Sequence, residues 1–273
     1  MSINNNIPKW RKIRPYRHLT AKLNPKHRIF ALVKNRNYVQ SYCFFPLIYK
    51  SIVERKYKKG VTNSGEVTRS HSQIINGRKK STAKNRPIHF STHKDAVIYS
   101  YYSHLLIKKY ELLIRDTPLN ECVTAYRKLE DLDNKGKGSA HFAKEVFDRI
   151  TQFVSEYSEC TVLTFDIKSF FNTLKHGKIL DSWKKVCFNS LRLPNDHYRV
   201  YQAVTNFSYV LWDDLKKIGS NSGGSGFDER RLSDIRRGYG VDAFFANPED
   251  FRRILKEGRL PVYKRPFGKM GIP

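Results

Sequence analysis

From Asp95 to Leu113, the residues Val97, Ile98, Tyr101, Tyr102, Leu105, Leu106 and Leu113 recur at the spacing that lines one face of a helix. Asp95 is placed to cap its start. Ser139 opens a second stripe through Phe142, Val146, Phe147, Ile150, Phe153 and Val154. Both stripes read as core faces. Further helices are predicted around Ile179 to Cys187, between about Asp196 and Lys217, and after Asn247, where a capping side chain precedes Pro248, Glu249 and Asp250. Strand patterns are fewer. Arg86 to Ser91 alternates as a half-buried edge strand that tolerates Pro87, and residues 160–165 form an apolar run of strand type. Residues 58–85 read as a mobile loop or hairpin, and 219–226 as a flexible Gly/Ser connection. Residues 1–50, interrupted by prolines, read as an arm that becomes structured near Tyr42 to Val53. The pattern predicts an α+β fold, mostly helical with a few strands.

At 273 residues, 40% of them hydrophobic, the chain can bury one large or two modest cores. Charge changes the picture most. Lys and Arg total 51 against 25 Asp and Glu, and residues 1–94 hold 22 of the basic groups but only two acids, Glu54 and Glu66. So long a span with so little negative charge exceeds an ordinary solvated face and predicts a polyanionic partner, nucleic acid ahead of an anionic membrane. Trp10, Tyr16, Phe30, Tyr38, Tyr42 and Tyr49 interleave with these cations and could stack on bases or pack in a core; the pattern leaves both open. Cys43, Cys122, Cys160 and Cys187 have no ligand spacing, which predicts reduced, mostly buried thiols. Nothing in the chain resembles a secretion signal or a membrane span, so a cytoplasmic protein without a membrane partner is expected.

The densest chemistry lies at Thr161 to Leu174, where an apolar run delivers Asp166 and then the adjacent aromatics Phe170 and Phe171. A buried strand ending in a carboxylate holds an anionic oxygen without side-chain slack, as Mg²⁺-assisted phosphoryl transfer requires. The plainer alternative is a helix cap or strand-end acid. Other candidates are weaker. Asp213 and Asp214 read as a charged helix surface, Gly136-Lys137-Gly138-Ser139 lacks P-loop spacing, and His89 with His93 lacks companions for a zinc site.

Three blocks stand in a familiar order: Lys84-Asn85-Arg86-Pro87-Ile88, then Phe165-Asp166-Ile167-Lys168-Ser169-Phe170-Phe171, then Gly271-Ile272-Pro273. Ala125-Tyr126-Arg127-Lys128 lies between the first two. Together they resemble the fingers and first half of the palm of a bacterial reverse transcriptase of the retron, group II intron or phage-defence type. The resemblance implies a right-hand polymerase with a basic arm and start of the fingers at 1–83, fingers at 84–159, and a partial palm at 160–273 carrying an insert at 219–260. It implies that Asp166 and the Ile167 carbonyl hold Mg²⁺. Arg86, with Lys84 beside it, would grip the incoming dNTP, although Lys84 reads equally well as a solvated surface lysine. Ser169 and Phe170 would offer backbone N–H groups to the triphosphate, while Phe171 would act as the ribose gate and Phe170 would pack in the core. Gly271 would open the loop against the templating pair.

The implied activity is RNA-directed DNA synthesis on an RNA template, with a DNA product, a possible structured noncoding RNA partner and a role in phage defence. The later Asp-Asp hairpin of the family is absent from these residues, so the chain by itself is expected to be inactive. A non-catalytic RNA-binding module or degenerate polymerase is the alternative.

Overall fold

The computed structural model describes residues 10–11, 14–24, 26–55, 57–61, 65–70, 72–75, 78–81, 83–130, 135–218 and 226–264. In chain order the elements are α1 (Ile29–Leu32), α2 (Arg36–Gln40), β1 (Leu47–Glu54), β2 (Lys58–Val61), β3 (Val67–Ser70), β4 (Ser72–Ile75), β5 (Arg78–Ser81), β6 (Lys84–Phe90) and α3 (His93–Ile114). They continue as α4 (Leu119–Cys122), α5 (Ser139–Tyr157), α6 (Phe170–Thr173), α7 (His176–Phe188), α8 (Asn195–Thr205), β7 (Ser208–Leu211), α9 (Trp212–Lys217), α10 (Glu229–Tyr239), α11 (Pro248–Lys256) and β8 (Tyr263–Lys264). The fold is α+β. Two compact units divide it, one from residues 1–101 and 194–273 and the other from 102–193, cutting across the three segments expected from the sequence.

The first unit is built on a sheet of order β6-β1-β7-β8, in which β1 runs antiparallel to β6 and parallel to β7. Ile48 pairs with both Phe90 and Val210, so its side chain enters the core from the middle of the sheet. Around it pack Leu19, Leu215, Leu232, Phe244, Phe245, Phe251, Ile254 and Leu260. Six of these eight residues come from 219–260, the stretch expected to be an insert, so it contributes much of this core. The arm is also structured earlier than expected, because Leu19, Leu23, Ile29, Phe30 and Val33 are buried.

Local chemistry sets several boundaries. Asn247 caps α11 as predicted, its Oδ1 accepting from the Asp250 N–H at 2.9 Å, with Pro248 at the first helical position. At α3 the cap is Thr92, whose Oγ1 accepts from the Asp95 N–H at 3.4 Å. Asp95 is instead buried one turn in. It accepts from the Tyr42 hydroxyl at 2.8 Å and from the Phe45 N–H at 3.1 Å. Burial pushes this carboxyl up to about 7 against the opposing pull of those hydrogen bonds. The helix expected over 196–217 is interrupted by β7, because Val210 is needed beside Ile48 in the sheet. Within α9 Asp213 is exposed, but Asp214 is buried and bonded to Lys217 and Tyr263, which corrects its expected place on a charged surface.

The second unit has few buried side chains among the described residues, including Tyr102, Ile114, His176 and Trp183. Here two expectations fail. The α5 stripe forms a helix, yet Val146, Phe147, Phe153 and Val154 are all exposed rather than facing a core. Residues 160–165 make no strand ladder; they run as an unpaired exposed segment with Leu163 and Phe165 in solvent. An apolar run becomes a strand only where a second backbone accepts from its N–H groups and donates to its C=O groups, and among the described residues none does. The cysteines are free as expected, but Cys43, Cys122 and Cys160 are exposed rather than buried. No helix among the described residues is long and apolar enough to cross a membrane.

Candidate functional site

The candidate residues fall in different units. Lys84 and Arg86 belong to the first, Asp166, Ile167, Ser169, Phe170 and Phe171 to the second, and Gly271 lies outside the described residues, as does the rest of Gly271-Ile272-Pro273.

In the first unit, β1 and β6 form a two-stranded ribbon. Its near end, at Leu47 and Ile48, is buried, and its far end is exposed at Ile52 and Val53. Lys84 pairs with Glu54 and Arg86 with Ile52 at that far end, so the register carries both cations out to the exposed edge. Arg86 Nε donates to Glu54 Oε2 at 2.6 Å, an exposed ion pair of the kind worth about 0–1 kcal/mol and readily exchanged for another anion. The stretch expected to be a loop or hairpin is two hairpins, β2–β3 and β4–β5. Exposed Arg55, Lys59, Arg69 and Arg78 join Lys84 and Arg86 on this ribbon and its hairpins. The first unit as a whole carries 36 Lys and Arg against 13 Asp and Glu. Its aromatics divide: Trp10 and Phe30 are buried, while Tyr57 is exposed.

In the second unit, Asp166 sits exposed on the unpaired segment between Phe165 and Ile167, whose side chains are also largely in solvent. Three residues after Asp166 the chain turns sharply. Ser169 adopts the left-handed conformation, with φ 56° and ψ 38°, and the short helix α6 begins at Phe170. That turn changes the geometry assumed for the aromatic pair. On extended backbone one ring would face the core, but at the start of a helical turn Phe170 and Phe171 are both exposed, their centroids 5.2 Å apart at 73°. Phe170 is therefore not a core residue.

Tyr126, from the block 40 residues earlier in the sequence, brings its ring edge-on to Phe171 at 6.3 Å. It too is held in the left-handed region, with φ 61°, a costly backbone state for a bulky residue. What fixes Tyr126 is its neighbour. Arg127 is 4% exposed and directs Nε and Nη2 at the two carboxylate oxygens of Glu111, at 2.9 and 2.8 Å. Its remaining donors reach the Asn120 and Val123 carbonyls and Asn120 Oδ1 at 2.7 to 2.8 Å. All five guanidinium N–H groups are used. The hydrogen bonds from Arg127 hold the Glu111 carboxyl below its ordinary value, with burial opposing. Beside this node lies a cavity of about 440 Å³ with apolar walls from Leu106, Ile107, Tyr110, Ile179 and Trp183.

The sequence marks Ala125-Tyr126-Arg127-Lys128 only as one of the resembling blocks and gives no sign that Arg127 is a structural lock. Nor does it mark the Asp95–Tyr42 pair, whose members are 53 residues apart. Neither partner has a local sequence signal.

Asp166 is a single carboxylate, and the described residues contain no cluster of three or more His, Cys, Asp or Glu side chains able to hold an ion. A two-metal centre needs more ligands than this, so the described residues alone do not fit one. No protein-family model matches the chain, and no curated protein matches its sequence.

Proposed function

We propose that the chain is the fingers and first part of the palm of an RNA-directed DNA polymerase, with its basic first unit serving as the nucleic-acid surface. One observation carries this reading: an exposed carboxylate, Asp166, is followed by a strained turn at Ser169 that presents Phe171 to solvent against Tyr126 of the preceding block. A merely structural acid needs no such presentation, whereas a nucleotide gate requires a bulky ring held accessible and fixed. The excess of cations in the first unit supports a polyanionic template, and the exchangeable Arg86–Glu54 pair supports a guanidinium that can turn to phosphate. Divalent-metal chemistry belongs to this reading only with carboxylates beyond those described.

The alternative, an RNA-binding module without catalysis, is favoured by the single carboxylate at the site. Primer extension separates the two. On a primed RNA template, a protein carrying this chain together with the remaining palm should incorporate dNTPs, and Asp166→Ala should abolish incorporation while RNA affinity stays within about twofold. Purified residues 1–273 should incorporate nothing. Full activity in the Asp166→Ala protein would overturn the polymerase assignment.

A further inference from the structure

We propose that a second cavity, at the amino ends of α3 and α11 in the first unit, binds the phosphate of a nucleotide, either free or at the 5′ end of an RNA. The cavity measures about 490 Å³, within the range of small-ligand sites. Four basic side chains, Lys22, His27, Lys94 and Arg252, line it, and no carboxylate does. The caps of both helices, Thr92 and Asn247, also line it, so the positive ends of a 22-residue and a 9-residue helix meet in one space. Thr20 also lines the cavity, and its hydroxyl is shielded from solvent without a hydrogen-bond partner. Tyr38 and Tyr42, with ring centroids 5.6 Å apart, provide an aromatic wall suited to a base.

The electrostatics favour an anion over a cation or a neutral ligand. Lys94 makes no ion pair among the described residues. Lys22 reaches Asp242 at 3.2 Å and Arg252 reaches Glu249 at 3.1 Å, and both are surface pairs that a phosphate can displace. His27 accepts from the Ile29 N–H through Nδ1, which leaves the proton on Nε2. Burial, with Lys94 and Arg28 adding to it, holds this imidazole below its ordinary value, so it serves as a neutral donor beside the lysines.

The site goes beyond the polymerase assignment and does not depend on it, because its test involves no nucleotide incorporation. Fluorescence anisotropy with purified residues 1–273 compares one short RNA bearing a 5′-monophosphate with the same RNA ending in a 5′-hydroxyl, with adenosine 5′-monophosphate as competitor. The phosphorylated RNA should bind about tenfold more tightly, as expected for a charged group gaining charge-assisted hydrogen bonds. The double variant Lys94→Gln/Arg252→Gln should remove that difference and leave hydroxyl-ended RNA binding and the melting midpoint unchanged. Competition by the mononucleotide at its own binding concentration identifies a free nucleotide as ligand, and failure to compete identifies the RNA end. Equal affinity for the two RNAs combined with no binding of the mononucleotide, or a preference that survives in the double variant, overturns the proposal.

Discussion

Replacing Arg127 with Met should destabilise the second unit rather than weaken nucleic-acid binding. The side chain is 4% exposed and makes five hydrogen bonds, two to the Glu111 carboxylate and three to Asn120 and Val123. Each such bond contributes about 0.5–1.5 kcal/mol net, more where charge is involved, but Glu111 and Asn120 are accessible enough to regain water after the loss. The low end of the range therefore applies to most of the five, giving a total of about 3 kcal/mol. Arg127→Lys should recover less than half of this, because an ammonium has three donors and cannot fork across a carboxylate. Hydrogen exchange provides the assay. The Val123 amide, bonded to the Leu119 carbonyl, and the Lys137 amide, bonded to the Leu129 carbonyl, report opening of this region. A 3 kcal/mol loss should speed their exchange roughly 100-fold. The Glu111 carboxyl is held below its ordinary 4.5, so its share of the stability is complete above that pH and fades as pH falls further through the folded-state value. Wild-type exchange in Arg127→Met, accompanied by a loss of RNA affinity, would show that the guanidinium contacts nucleic acid and that the lock described here is wrong.

Acid should unfold the first unit partly through His18, which is buried, donates through Nε2 to the Phe90 carbonyl and accepts from the Leu19 N–H. Burial above all brings it down to about 3 from 6.5, so the unfolded chain binds the extra proton between those values and stability falls as pH drops through that window, by about 1.4 kcal/mol per unit. Asp95, raised to about 7 from 3.8, acts in the opposite sense, losing stability as pH rises between its two values. The difference between wild-type and His18→Gln urea-unfolding curves isolates the histidine; a difference that does not vary from pH 4 to 6.5 would exclude it. Phe245→Ala should cost about 3–5 kcal/mol, because the ring is 1% exposed and packs against Phe251 at 5.3 Å. A melting midpoint lowered by under 2 °C would mean that residues 226–260 contribute little to the core.

Much of this fold could be read from periodicity, because a helix declares itself within its own sequence. The first turns of the α3 face, the face of α7 and the cap of α11 were legible because apolar spacing, capping side chain and proline act over three to seven neighbouring residues, whereas Leu113 at the far end of α3 is exposed. The edge position of β6 was legible from Pro87 for the same reason. The excess of positive charge needed only counting. What the sequence could not determine was which faces are covered. The apolar stripe of α5 is as regular as that of α3, yet Val146, Phe147, Phe153 and Val154 on it are exposed, and among the described residues the run at 160–165 finds no second backbone to pair with. Only the tertiary structure decided that Arg127 locks a loop to Glu111, that Asp95 serves Tyr42 rather than a helix end, and that three cations and a histidine gather at two helix amino ends. Such partnerships join positions from 16 to more than 200 residues apart, and their energy depends on burial and direction, which no local pattern encodes.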